Sequence, residues 1–102
     1  MARKLIIWTK TAVRQRREIL KYWVNRNKSN TYSKKLIKKI KNKVTFISEN
    51  PEAGKLTNHK DSRESAMENF SSYYQIVEES IIITAFWDNR QDPDELIKIL
   101  KS

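Results

Sequence analysis

FSSYYQIVEESIIITAFWDNRQDP, residues Phe70 to Pro93, reads as a β-hairpin followed by its exit. Tyr73–Val77 and Ile81–Trp87 are runs of aromatic and β-branched residues, and Glu78, Glu79 and Ser80 form a short polar connection between them. Ile81, Ile82 and Ile83 are consecutive. Successive strand side chains point to opposite faces, so this strand is apolar on both. It is expected to be central, with helices on one side and an apolar layer on the other. The run ends in Asp88, Asn89 and Arg90, which places charged groups at the exit of a rigid platform.

Working outward, Lys4–Trp8 is a short apolar run and predicts a strand. Thr9 or Thr11 has the chemistry of a helix N-cap. Ala12, Val13, Ile19, Leu20, Trp23 and Val24 then recur at helical spacing to about Arg26. After a polar break at Asn27–Asn30, a second helix begins at Asn30 or Thr31. Its apolar stripe is Tyr32, Leu36, Ile37, Ile40, Val44 and Ile47. It stops at Asn50-Pro51, because the residue before proline avoids helical geometry. So short a break predicts an antiparallel helical hairpin. A polar connection turns at Ala53-Gly54, Arg63–Glu68 predicts a weak strand towards an edge, and Asp92-Pro93 opens a last helix. The expected fold is α+β, one domain over residues 1–102. A small antiparallel sheet packs against an N-terminal helical hairpin in the order β-α-α-β-β-β-α.

The totals agree with one compact domain. The chain has 102 residues, with one Gly and two Pro, which leaves little room for long irregular loops. With no Cys, disulfides and thiolate metal sites are excluded. No apolar run approaches a membrane span, and MARKLIIWTK is too short for a signal peptide, so the expectation is a small cytoplasmic protein. The net charge of +9 is uneven. Residues 1–60 hold 17 Lys/Arg against 3 Asp/Glu, a surplus of +14, and residues 61–102 hold 4 against 9, a balance of −5. That asymmetry suits an anionic partner, whether RNA, DNA or an acidic protein.

Four groups of residues bear on chemistry. Lys34, Lys35, Lys38, Lys39, Lys41 and Lys43 crowd ten residues of the second helix with no balancing acid. They read either as a solvated face or as a surface facing phosphate or a partner. Arg63 opens a strand after a polar loop, either paired with Asp61 or Glu64 or ready to grip a phosphate. Asp88, Asn89, Arg90 and Asp92 form either a turn with an Asp88–Arg90 ion pair or a site where Arg90 and Arg63 converge on one anion. Tyr73 and Tyr74 fall on opposite faces of their strand. One belongs to the core, and the other is free to stack on a base or act as an acid. His59 is the only histidine and has only Asp61 near it in sequence, so no metal site is expected, and no cofactor motif is present.

Taken together, RREILKYWVNRN (Arg16–Asn27), FISENPEAGK (Phe46–Lys55), Arg63, SSYYQIVEESIIITAF (Ser71–Phe86) and WDNRQDPDEL (Trp87–Leu96) resemble the RelE/ParE superfamily of bacterial type II toxins over nearly the whole chain. The resemblance implies a cognate antitoxin that wraps the toxin into a hetero-oligomer. It also implies one of two targets: the ribosome with its mRNA, which is cleaved, or DNA gyrase, which is poisoned. In the ribonuclease branch, Arg63 and Arg90 match the basic positions, with Tyr74 and Asp88 as accompanying candidates for catalysis. Lys34, Lys35, Lys38 and Lys41 are candidates for binding nucleic acid or a partner. This chain departs from the ribonuclease pattern: Tyr73, Tyr74 and Gln75 stand where an arginine is common, and no Tyr or His follows Arg90. The expectation is therefore a toxin directed at DNA gyrase or another essential target, with no cofactor. The alternatives are a metal-independent, ribosome-dependent endoribonuclease and a non-toxic basic nucleic-acid-binding module.

Overall fold

A computed structural model describes residues 3–59 and 61–101. The elements are β1 (Leu5–Trp8), α1 (Lys10–Asn27), α2 (Thr31–Glu49), a 3-10 turn (Pro51–Ala53), β2 (Lys55–Leu56), β3 (Arg63–Met67), β4 (Phe70–Val77), β5 (Ser80–Asp88) and α3 (Pro93–Lys101). The expected order holds, with a two-residue strand added after α2. One sheet runs β1-β5-β4-β3-β2, so β5 is interior, as its two-faced apolar sequence requires. Pairing is antiparallel from β2 to β5. β1 differs: it lies parallel to β5, Leu5 opposite Ser80 and Trp8 opposite Ile83. A strand and its parallel partner need a long crossover between them, and here the helical hairpin begins it.

Local chemistry sets the helix ends. Thr9 Oγ1 accepts the Ala12 N–H at 3.1 Å, which caps α1. Lys28 closes it in the left-handed region (φ 50°). Asn30, an expected cap for α2, makes no side-chain cap bond; Ser29 Oγ accepts the Thr31 N–H instead, at 3.2 Å. Pro51 ends α2 as predicted.

The hairpin covers one face of the sheet. Ala12, Ile47, Tyr74, Ile81 and Ile83 form one buried cluster there, and Ile19, Leu36, Ile40, Phe70 and Phe86 another. α3 covers part of the opposite face, where Leu96 meets Tyr73, Ala85 and Trp87. A bulge makes this sharing possible. Tyr73 opposes Ala85 but Tyr74 opposes Ile83, which leaves Thr84 as an extra residue. The phase of β5 flips there: Ile81 and Ile83 face the hairpin before the bulge, and Phe86 does so after it.

β1 ends opposite Ile83, so the later part of β5 lacks a partner strand on that side. The buried side chain of Gln15 supplies what β1 does not: its Oε1 accepts the Phe86 N–H at 2.9 Å. A buried amide left unpaired would cost about 1–3 kcal/mol. No helix among the described residues is long and apolar enough to cross a membrane.

Candidate functional site

Arg63 and Tyr74 sit opposite each other on β3 and β4, at the end of the sheet beside the 3-10 turn. Tyr74 is fully buried. Its hydroxyl donates to Pro51 O at 2.8 Å and accepts the Gly54 N–H at 3.0 Å. Gly54, the chain's only glycine, has an ordinary φ of −69°. Glycine is required there by space: a Cβ would land on the Tyr74 hydroxyl and within 2.9 Å of two ring carbons. Arg63 Nη1 donates to Gly54 O at 2.8 Å and Glu52 O at 3.2 Å. Arginine and tyrosine thus clasp one turn between them. Burial raises the Tyr74 pKa, against the smaller opposing effects of the Gly54 N–H and the Arg63 charge.

The other end of the sheet carries Asp88 and Arg90. Arg90 Nε and Nη2 donate to the two Asp88 oxygens at 2.9 and 2.7 Å, and the Arg90 backbone N–H donates to Oδ1 at 3.0 Å. This fork is a bidentate ion pair closed within three residues. Burial works to raise the Asp88 pKa, but the hydrogen bonds and charge of Arg90 outweigh it and hold the carboxyl below its usual range. The guanidinium also lies 5.0 Å from the centre of the Trp23 ring and 5.8 Å from that of Phe70. Between α1 and the exit of β5 runs an open groove of about 950 Å³, lined by Arg14, Glu18, Tyr22, Trp23, Arg26 and Arg90 among others.

The expectation that Arg63 and Arg90 converge on one anion is corrected by this placement. Arg63 opposes Tyr74, whereas Asp88, two residues before Arg90, opposes Phe70 and through it Met67. Four residues of strand separate the two rows, roughly 13 Å at the usual rise. Nor is either tyrosine free to stack on a base. Tyr73 and Tyr74 do lie on opposite faces, but both faces are covered there, one by the hairpin and one by α3. Tyr73 donates to Glu64 Oε2 at 3.3 Å, and its pKa is pushed up to about 12 by burial, with the Glu64 charge adding. Asp88 and Arg90 form the ion pair that was the plainer of the two sequence readings.

Lys34, Lys35, Lys38 and Lys41 are exposed, and among the described residues no ion pair reaches them. Lys39 pairs with Glu68. No group of three potential metal ligands occurs among the described residues.

Two groups escaped the sequence reading. Gln15 is one, although its spacing from Ala12 and Ile19 places it on the buried stripe of α1. The other is a polar chain on the α3 face: Asn89 Nδ2 donates to Ser71 Oγ at 2.9 Å, and Ser71 Oγ donates to Glu64 Oε2 at 2.6 Å. It joins β3, β4 and the exit of β5 through the pairing of the strands, so no local pattern announces it.

Residues 6–93 match the family described as "ParE toxin of type II toxin-antitoxin system, parDE". Among solved structures, a chain of the "Chromosomal ParDE TA system from P. aeruginosa" is similar in fold, with a TM-score of 0.71 and 20% identity. The alignment covers 81% of this chain and 92% of that one. No curated protein sequence matches the chain.

Proposed function

The chain belongs to the ParE toxin family of type II toxin–antitoxin systems, and we propose that it acts by binding DNA gyrase and is held in check by a cognate antitoxin. The observation that favours a binding protein over a ribonuclease is the Tyr74 hydroxyl. It is buried, and both of its hydrogen bonds go to the turn at Pro51–Gly54. Cleavage of RNA by its own 2′-hydroxyl needs a proton for the leaving 5′-oxygen, or strong charge stabilisation in its place. Tyr74 is built into the fold, Asp88 is ionised against Arg90, and Arg63 stands roughly 13 Å from the Arg90 end of the sheet. The four candidates therefore do not assemble around one phosphate. In this reading Arg63 and Tyr74 maintain the fold, while Arg90 and the α1 groove present a surface to a protein.

The antitoxin reading draws on the sheet face that α3 leaves bare. Leu5 and Ile7 on β1 and Val77 on β4, the two strands that flank β5, are 64%, 43% and 45% exposed. A patch of this kind suits a partner segment with apolar residues, and the surplus of +14 over residues 1–60 suits acidic ones. Mapping mRNA ends in a translating extract tests the choice of mechanism. No toxin-dependent cuts are expected. Codon-positioned cuts that vanish in Arg63→Ala would overturn it.

A further inference from the structure

α2 carries more positive charge than its place in the fold requires. It holds six lysines, and its one acid is its last residue, Glu49. Lysines at Lys34/Lys38, Lys35/Lys38 and Lys38/Lys41 stand three or four apart, a spacing at which like charges destabilise a helix. Two of the six are absorbed locally: Lys39 by Glu68, and Lys43 by the Phe46 ring, 5.3 Å from its centre. The other four are exposed and reached by no ion pair among the described residues. At 100° per residue, Lys34, Lys38 and Lys41 fall within about 60° of one another, and Lys35 lies about 60° further round. They make one ridge about 10 Å long, on the side of the helix away from Leu36, Ile40 and Ile47.

We propose that Lys34, Lys35, Lys38 and Lys41 form a docking ridge for the phosphate backbone of duplex DNA. The ridge lacks what other anionic partners demand. Protein interfaces deplete lysine and anchor on Trp, Tyr and Arg, none of which lies on this ridge. Single strands are held by stacking on aromatic rings, and none stands between these lysines. Duplex RNA closes its major groove to a helix, whereas B-form DNA opens a groove about 12 Å wide, flanked by phosphates and matched to a helix diameter. Lysine point charges contact phosphate without reading bases, so binding is sequence-independent. The ridge stands apart from the Arg90 groove and does not depend on the gyrase reading. A toxin that failed on gyrase would still bind DNA through it.

Fluorescence anisotropy of a labelled random-sequence DNA duplex with the purified chain tests the proposal across a salt series. Four neutralised phosphates give a log–log salt slope of about −3.6, or about 150-fold weaker binding at 200 mM than at 50 mM salt. Lys34→Ala/Lys38→Ala/Lys41→Ala should leave a slope of about −0.9 and about 3-fold weakening over the same range. The control Lys10→Ala/Lys28→Ala/Lys98→Ala removes the same net charge elsewhere and should keep most of the slope. Equal losses in the two triple variants, with both still folded by circular dichroism, would overturn the ridge. So would binding of duplex RNA, single-stranded DNA or polyglutamate as tight as that of duplex DNA.

Discussion

Tyr74→Phe separates a structural tyrosine from a chemical one. The substitution removes one oxygen from a side chain that is fully buried. It leaves the Gly54 N–H, 3.0 Å from that oxygen, without its acceptor, and Pro51 O, at 2.8 Å, without its donor. Gly54 is itself buried, so water does not easily replace the lost partner. Stranding a buried polar group costs about 1–3 kcal/mol, and we expect about 2 kcal/mol here. In a domain of this size that lowers Tm by about 8–16 °C. Gly54→Ala attacks the same contact from the other side. Its Cβ would overlap the hydroxyl and crowd two ring carbons at 2.9 Å, and overpacking of this kind costs about 1–3 kcal/mol. Combining the two removes the worst overlap, so the double variant should lose less than the sum of the single losses. Urea unfolding with unchanged m-values measures all four corners of the cycle. A Tyr74→Phe variant as stable as the parent, yet no longer toxic, would refute the reasoning and restore Tyr74 as a proton donor.

Gln15→Leu strands the Phe86 N–H and should cost about 1–3 kcal/mol, with faster hydrogen exchange at that amide as the specific sign. Asp88 has a folded pKa below its unfolded value, so its contribution is present above the unfolded pKa and is lost as pH falls through the folded one. The stability gap between the parent and Asp88→Asn should therefore hold steady above about pH 5 and close below about pH 4. Its size should be about 1 kcal/mol, because Arg90 is half exposed. Arg63→Ala and Arg90→Ala should have additive effects on stability, since no partner is shared across roughly 13 Å of sheet. Coupling above about 0.5 kcal/mol in that pair would contradict the separation.

Elements governed by local chemistry were legible in the sequence. The three consecutive isoleucines placed β5 inside the sheet, Thr9 and Pro51 marked helix ends, and Asp92-Pro93 opened α3. Phase changes were not legible, because periodicity cannot show one extra residue. The bulge at Thr84 turns Ala85 towards α3, although simple alternation puts it with Ile83. The separation of the two arginines follows from strand direction rather than from either residue. Arg63 opens β3 and Arg90 follows β5, and both strands pair antiparallel with β4, so β3 and β5 run the same way and a start and an exit fall at opposite ends of the sheet. The single glycine was read as a turn residue, and its need for space became visible only with the Tyr74 ring beside it.

The most direct test of the central claim is a supercoiling assay with purified DNA gyrase and relaxed plasmid, titrated with the toxin and followed for trapped double-strand breaks. Loss of supercoiling with accumulation of cleaved plasmid is expected, reversed by the cognate antitoxin and retained in Arg63→Ala once that variant's folded fraction is matched. Undiminished supercoiling at saturating toxin, from a preparation that still arrests growth, would contradict that claim.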